Sequence, residues 1–142
     1  MLKLLRRHKK TNLLLVLLVI GCMYYFSSQD SNASGELSGW FVTFFKYRLS
    51  DHFIRKSAHF LEFAALGFLL TTFCGCGKKM LFALPIGLLV AAADEFHQTF
   101  SAGRAAMLPD VLLDFSGVLF GFAIVFLCTI LAEKKNGSCH DR

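Results

Sequence analysis

Three stretches of this chain carry ionisable side chains at helical spacing inside apolar surroundings. Arg55, His59 and Glu62 recur at i, i+4 and i+7, so a helix there would carry all three on one face. Asp94, His97 and Gln98 share a face by the same rule, with Glu95 beside them. Asp110 and Asp114 stand one turn apart in a third stretch, and Arg104 lies just before it in Ser101-Ala102-Gly103-Arg104. Imidazole and carboxylate groups are the usual acids and bases of proton-transfer catalysis and ligands of divalent cations. Guanidinium groups bind phosphate or carboxylate in a bidentate fork.

Three uses of this set are open. The arginines Arg55 and Arg104 could neutralise Glu62, Asp94 and Asp114 and so order the helices, since buried charges must be paired. The set Arg55, His59, Glu62, Asp94, Glu95, His97, Gln98, Arg104, Asp110 and Asp114 could form a binding site for an anionic or amphipathic headgroup. Alternatively His59, Glu62, Asp94 and His97 could carry catalysis, as an acid–base pair or as ligands of a divalent metal. His59-x-x-Glu62, Asp94-x-x-His97 and Asp110-x-x-x-Asp114 are not specific metal motifs, and His-Glu-x-x-His is absent. No cofactor is evident from spacing alone.

The elements that must position these groups are membrane helices. The 142 residues are 55% hydrophobic and only 18% charged, against about 25% charged in an average globular domain. Thr11–Gln29 and Phe115–Ala132 contain no Asp, Glu, Lys or Arg. Ser57–Gly77 is apolar but interrupted by Glu62, and Met80–Phe100 by Asp94, Glu95 and His97 in its second half. A bilayer-spanning helix needs about 20 residues. The expected fold is all-α: a four-helix transmembrane bundle forming one domain over residues 1–142, with helices near 11–28, 52–73, 80–99 and 109–132. The Cys74-Gly-Cys-Gly-Lys-Lys79 turn separates the second helix from the third, and Pro85 falls near the start of the third, where proline costs little. In helix four, Gly117 and Gly121 continue the Asp110–Asp114 face as a Gly-x-x-x-Gly pair that lets another backbone approach. Between helices one and two, Leu37, Trp40, Phe41, Phe44 and Phe45 recur at helical spacing, which predicts a short amphipathic interfacial helix.

Basic residues set the orientation. Ten of the fifteen lie before helix one, in the 74–79 turn or in the tail, and eight of the ten acidic residues fall on the other side. Both termini are therefore expected in the cytoplasm, in a multi-pass protein of the cell membrane. The formal charge of +5 is a topology signal and gives no indication of nucleic-acid binding, because the basic residues flank apolar spans. The apolar run continues past Cys22 through Phe26, which favours a retained helix over a cleaved signal peptide. Cys74, Cys76 and Cys139 fall on the cytoplasmic side. A zinc site from Cys74, Cys76, Cys139 and His140 is less apt than a turn of small residues, since Cys-x-x-Cys spacing is missing.

At these residues the chain resembles the VanZ-like membrane proteins. The likeness runs through Phe26-Ser-Ser-Gln29, Arg55-Lys-Ser-Ala-His-Phe-Leu-Glu-Phe63 with Gly67, Asp94-Glu-Phe-His-Gln98, Gly103-Arg104, and Asp110-Val-Leu-Leu-Asp114 with Gly117 and Gly121. Ser101-Ala102 stands where family members often have a proline. The family is named for a protein giving low-level teicoplanin resistance, so the resemblance implies a bacterial cell-envelope protein with some bearing on glycopeptide susceptibility. It supplies no mechanism. The expected function is engagement of a lipid-linked envelope precursor, a headgroup, a glycopeptide or a partner helix in an outer-leaflet polar cavity, alongside the surrounding membrane lipids. The alternative is a membrane-embedded enzyme acting on such a lipid through a His/Glu/Asp site. A small ion-coupled carrier is weakened by the absence of an inverted repeat. Oligomeric state is left open.

The charge asymmetry makes one prediction. A membrane-impermeant maleimide applied to intact cells should leave Cys74, Cys76 and Cys139 unmodified; modification of any of the three overturns the four-span topology.

Overall fold

The computed structural model describes residues 8–27, 51–100 and 107–136. These form α1 (Lys9–Ser27), α2 (Asp51–Cys74), a 3-10 turn (Gly77–Phe82), α3 (Ala83–Gln98) and α4 (Leu108–Asn136), with no strand among the described residues. The amphipathic helix expected after helix one lies outside the described residues. So do Arg104, Cys139, His140 and the side chain of Arg55.

Three helical segments are long and apolar enough to cross a membrane: Lys56–Cys74, Gly77–Gln98 and Leu108–Ala132. The chain expected to form one helix over 80–99 instead makes a 3-10 turn before α3 begins at Ala83. Its cause is the preceding turn, where Gly75 and Gly77 adopt φ of 102° and 61°, a region that only glycine enters without a steric penalty. Pro85 then sits in the first turn of α3, where no intrahelical N–H is required of it.

α2 packs most closely on α4, and the reason is the absence of side chains at the seam. A Cβ on Gly121 would overlap the carbonyl oxygen of Ala64, and one on Gly67 would overlap the backbone of Val118. A Cβ on Gly117 would stand 2.5 Å from the Phe60 carbonyl oxygen. The expected Gly117–Gly121 face is thus the one turned onto α2. Phe63, Leu66 and Val118 fill the seam and are fully buried, and Val16, Met23, Leu70, Ala83 and Ala91 extend the core to α1 and α3. α1 is tied to α2 by Asn12 Nδ2, which donates to Thr72 Oγ1 at 3.0 Å.

The outer surface is apolar. Leu14, Leu17, Leu18, Leu89, Leu127 and Leu131 are among many large hydrophobic side chains pointing away from the core. In water such a surface would drive association; against lipid tails it is the expected exterior. Hydroxyls within the helices fold back onto their own backbone: Thr71 Oγ1 donates to the Gly67 carbonyl at 2.6 Å, and Thr129 Oγ1 to that of Val125 at 2.7 Å. This satisfies them without water.

Gly121→Val should lower stability by about 1–3 kcal/mol, the usual cost of forcing volume into a packed seam. Gly21→Ala is the control, because a Cβ there meets nothing within 4 Å. Thermal unfolding in detergent should leave Gly21→Ala at or above the parent; equal losses in both variants would refute the seam.

Candidate functional site

The N-terminal ends of α2 and α4 and the C-terminal ends of α1 and α3 meet at one end of the bundle, opposite the Gly75–Gly77 turn. The polar residues collect there. His59 from α2, Asp94 from α3 and Asp114 from α4 each bring one ligand-type atom to within 4.8 Å of the other two. His59 Nδ1 stands 4.0 Å from Asp94 Oδ2, an ion-pair separation beyond hydrogen-bonding length. Asp94 is 1% exposed and Asp114 3%, so both carboxylates are removed from solvent. Gln98 Nε2 donates to Asp94 Oδ2 at 3.0 Å, one helical turn along α3. Asp94 Oδ1 is buried with no hydrogen-bond partner among the described residues.

The other candidates do separate work. Glu95 is 4% exposed, but its Oε1 accepts the Met107 backbone N–H at 2.6 Å. That places a carboxylate at the start of α4, where unsatisfied N–H groups and the helix dipole favour negative charge. Asp110 lies in the first turn of α4 and pairs with Lys56 Nζ at 2.5 Å. His97 turns toward α1 and packs its ring edge-to-face on Tyr24, centroids 5.3 Å apart. Glu62 is half-buried and within electrostatic range of Asp94, with no ion pair among the described residues.

The polar groups are therefore brought together across helices and not along them. His59-x-x-Glu62, Asp94-x-x-His97 and Asp110-x-x-x-Asp114 each give only one member to the three-residue cluster. Adjacent members of a helical motif on one face are about 5–6 Å apart at Cβ; a neighbouring helix can bring a group as near as one on the same face.

Two residues escape the sequence reading. Lys56 is the described cation that meets Asp110, in the position next to Arg55; a second basic residue in the same turn was the available signal. Tyr24, on α1, meets the ring of His97, and nothing in its sequence context marks it. Cys74 is free and Cys76 is disulfide-bonded.

The VanZ/LLP1 family model matches residues 12–129. The chain belongs to the VanZ/LLP1 family. The match spans every described helix that contributes to the cluster, and the long apolar helices make this a VanZ-like membrane protein. No curated protein and no solved structure matches the chain.

Lys56 and Asp110 are each about one-third exposed at the side chain (36% and 30%), which limits their mutual stabilisation by solvent screening. A double-mutant cycle with Lys56→Met and Asp110→Asn should give a coupling of about 0.2–1 kcal/mol. A coupling indistinguishable from zero would remove the pair as a link between α2 and α4.

Proposed function

We propose that this VanZ-like protein is a multi-pass protein of the bacterial cell membrane, with α1 as a fourth span, whose polar bundle end engages an envelope lipid through its headgroup. The observation that carries the reading is the convergence of His59, Asp94 and Asp114 from three helices at one depth, within 4.8 Å. Ionisable groups inside membrane segments are expensive, at least about 2.5–3.5 kcal/mol each near the bilayer centre. Helix order alone is already provided for by the glycine seam and by the Asn12–Thr72 hydrogen bond. A three-helix cluster beyond those devices is better explained by a ligand.

An outer-leaflet position for the cluster is supported by the excess of Lys and Arg in the N-terminal segment, the 74–79 turn and the tail, through the positive-inside rule. Lipid-linked wall precursors are exposed in that leaflet, and glycopeptides act there. Arg55 and Arg104, the arginines nearest the cluster residues in sequence, are the candidate anion contacts. Cys74 is free, so its labelling is the informative result in the maleimide experiment.

A membrane-embedded enzyme acting on an envelope lipid is the second reading. His59 beside the buried Asp94 carboxylate, 4.0 Å apart, would have to close to hydrogen-bonding distance for the carboxylate to orient the imidazole as a general base.

The test is a substitution series: Arg55→Gln, His59→Ala, Glu62→Gln, Asp94→Asn, Arg104→Gln and Asp114→Asn. Each variant is scored for membrane level, thermal stability and teicoplanin susceptibility in a host that depends on the protein. Loss of phenotype at normal level and stability is the expected outcome for at least Asp94→Asn and Asp114→Asn. If every inactive variant is also missing from the membrane or unfolded, the cluster is structural only and the reading fails.

A further inference from the structure

We infer that His59, Asp94 and Asp114 form a divalent-cation site. This goes beyond headgroup engagement and does not depend on it. The three side chains come from three different helices, and their ligand-type atoms all lie within 4.8 Å of one another. Four-coordinate zinc with bonds near 2.0–2.1 Å holds its ligands about 3.3 Å apart. The His59–Asp94 separation of 4.0 Å therefore needs only a small contraction, within the reach of side-chain rotation.

Burial supplies the second, independent argument. Asp94 and Asp114 are 1% and 3% exposed, and Asp94 Oδ1 has no hydrogen-bond partner among the described residues. An orphaned buried carboxylate oxygen is costly, and two carboxylates facing each other in low dielectric repel. The described lysine at this end, Lys56, is taken by Asp110. A divalent ion held by both oxygens of Asp94 would satisfy the orphaned Oδ1, while Oδ2 faces His59, and would cancel both charges.

The ligand types narrow the ion. One imidazole and two carboxylates suit Zn²⁺ or Mn²⁺, whereas Ca²⁺ takes six to eight oxygen ligands. Gln98 Nε2, on Asp94 Oδ2 at 3.0 Å, is the outer hydrogen bond that orients a ligating carboxylate. Three protein ligands leave coordination positions for water or an anionic oxygen. Asp110 pairs with Lys56 and Glu95 Oε1 accepts the Met107 N–H, and neither residue is in the group whose ligand atoms lie within 4.8 Å of one another.

The experiment uses the full chain purified in detergent, stripped with EDTA and reloaded with Zn²⁺ or Mn²⁺ with no added lipid precursor or glycopeptide. Metal content after desalting should approach one equivalent, and Asp94→Asn and Asp114→Asn should bind at least about tenfold more weakly. Asp110→Asn should bind as the parent does. Pulsed EPR of the Mn²⁺ form should show nitrogen coupling from an imidazole. That coupling should survive joint replacement of His8, His52, His97 and His140 by Ala, which leaves His59 alone, and this arm decides the matter should the aspartate variants fail to fold. The inference is overturned by a folded parent that retains neither ion, by folded Asp94→Asn or Asp114→Asn binding unchanged, or by loss of nitrogen coupling in the joint histidine variant. Metal binding with no effect of these variants on teicoplanin susceptibility would keep the cation site and discard the headgroup reading.

Discussion

The close approach of α2 and α4 is the constraint on which the rest of the bundle depends. Between lipid-facing helices there is no water to expel, so association rests on van der Waals packing and hydrogen bonds. Packing improves as backbones come nearer, and only glycine permits the distance seen here. Gly117 lies against the Phe60 carbonyl, and Gly121 against that of Ala64. These two contacts fix the register of one helix on the other. His59 precedes Phe60 by one residue and Asp114 precedes Gly117 by three, so the register that seats the glycines also brings imidazole and carboxylate together. α3 is then held by the seam itself, since Val118 side-chain atoms reach the place a Cβ would take on Gly87.

The acidic residues at this end show how one environment divides like groups among different tasks. Glu95 is committed to the Met107 N–H and closes the chain onto the start of α4. Asp110 sits nearer the surface and meets Lys56, where screening makes the interaction modest. Asp94 and Asp114 are deeper, and depth raises the cost of every unmet polar atom. Gln98 meets part of that demand for Asp94; His59 stands beside both. Asp94 Oδ1 and Glu95 Oε2 are each buried with no hydrogen-bond partner among the described residues, and of these two residues Asp94 is the one that converges with His59 and Asp114.

Toward the other end polarity is handled with neutral groups. Asn12 reaches Thr72, and Thr72 in turn donates to the Leu69 carbonyl at 2.8 Å. These neutral groups lack the solvation demand of an ion, although Asn12 Oδ1 is itself buried with no hydrogen-bond partner among the described residues. The two ends therefore differ in kind: neutral hydrogen bonds join α1 to α2 near the Gly75–Gly77 turn, and ionisable groups meet across α2, α3 and α4 at the far end.

Much of the fold was legible in the residue order because its causes are local. Hydrophobic runs of membrane length, Gly75 and Gly77 at a turn, and Gly117 and Gly121 spaced by four mark helices, breaks and a packing face without reference to distant chain. The existence of a polar bundle end was legible for the same reason, since Asp94, His59 and Asp114 interrupt apolar runs. Which of those residues meet was not. Helical spacing relates groups on a single helix, and by that measure Glu62, His97 and Asp110 were as eligible as the three that converge. Only the tertiary structure separated them, because the choice depends on the rotation and register of three helices about one another. Those are set by where backbones can touch, through Gly67, Gly117 and Gly121, and by core side chains such as Phe63 and Val118 that carry no chemistry of their own.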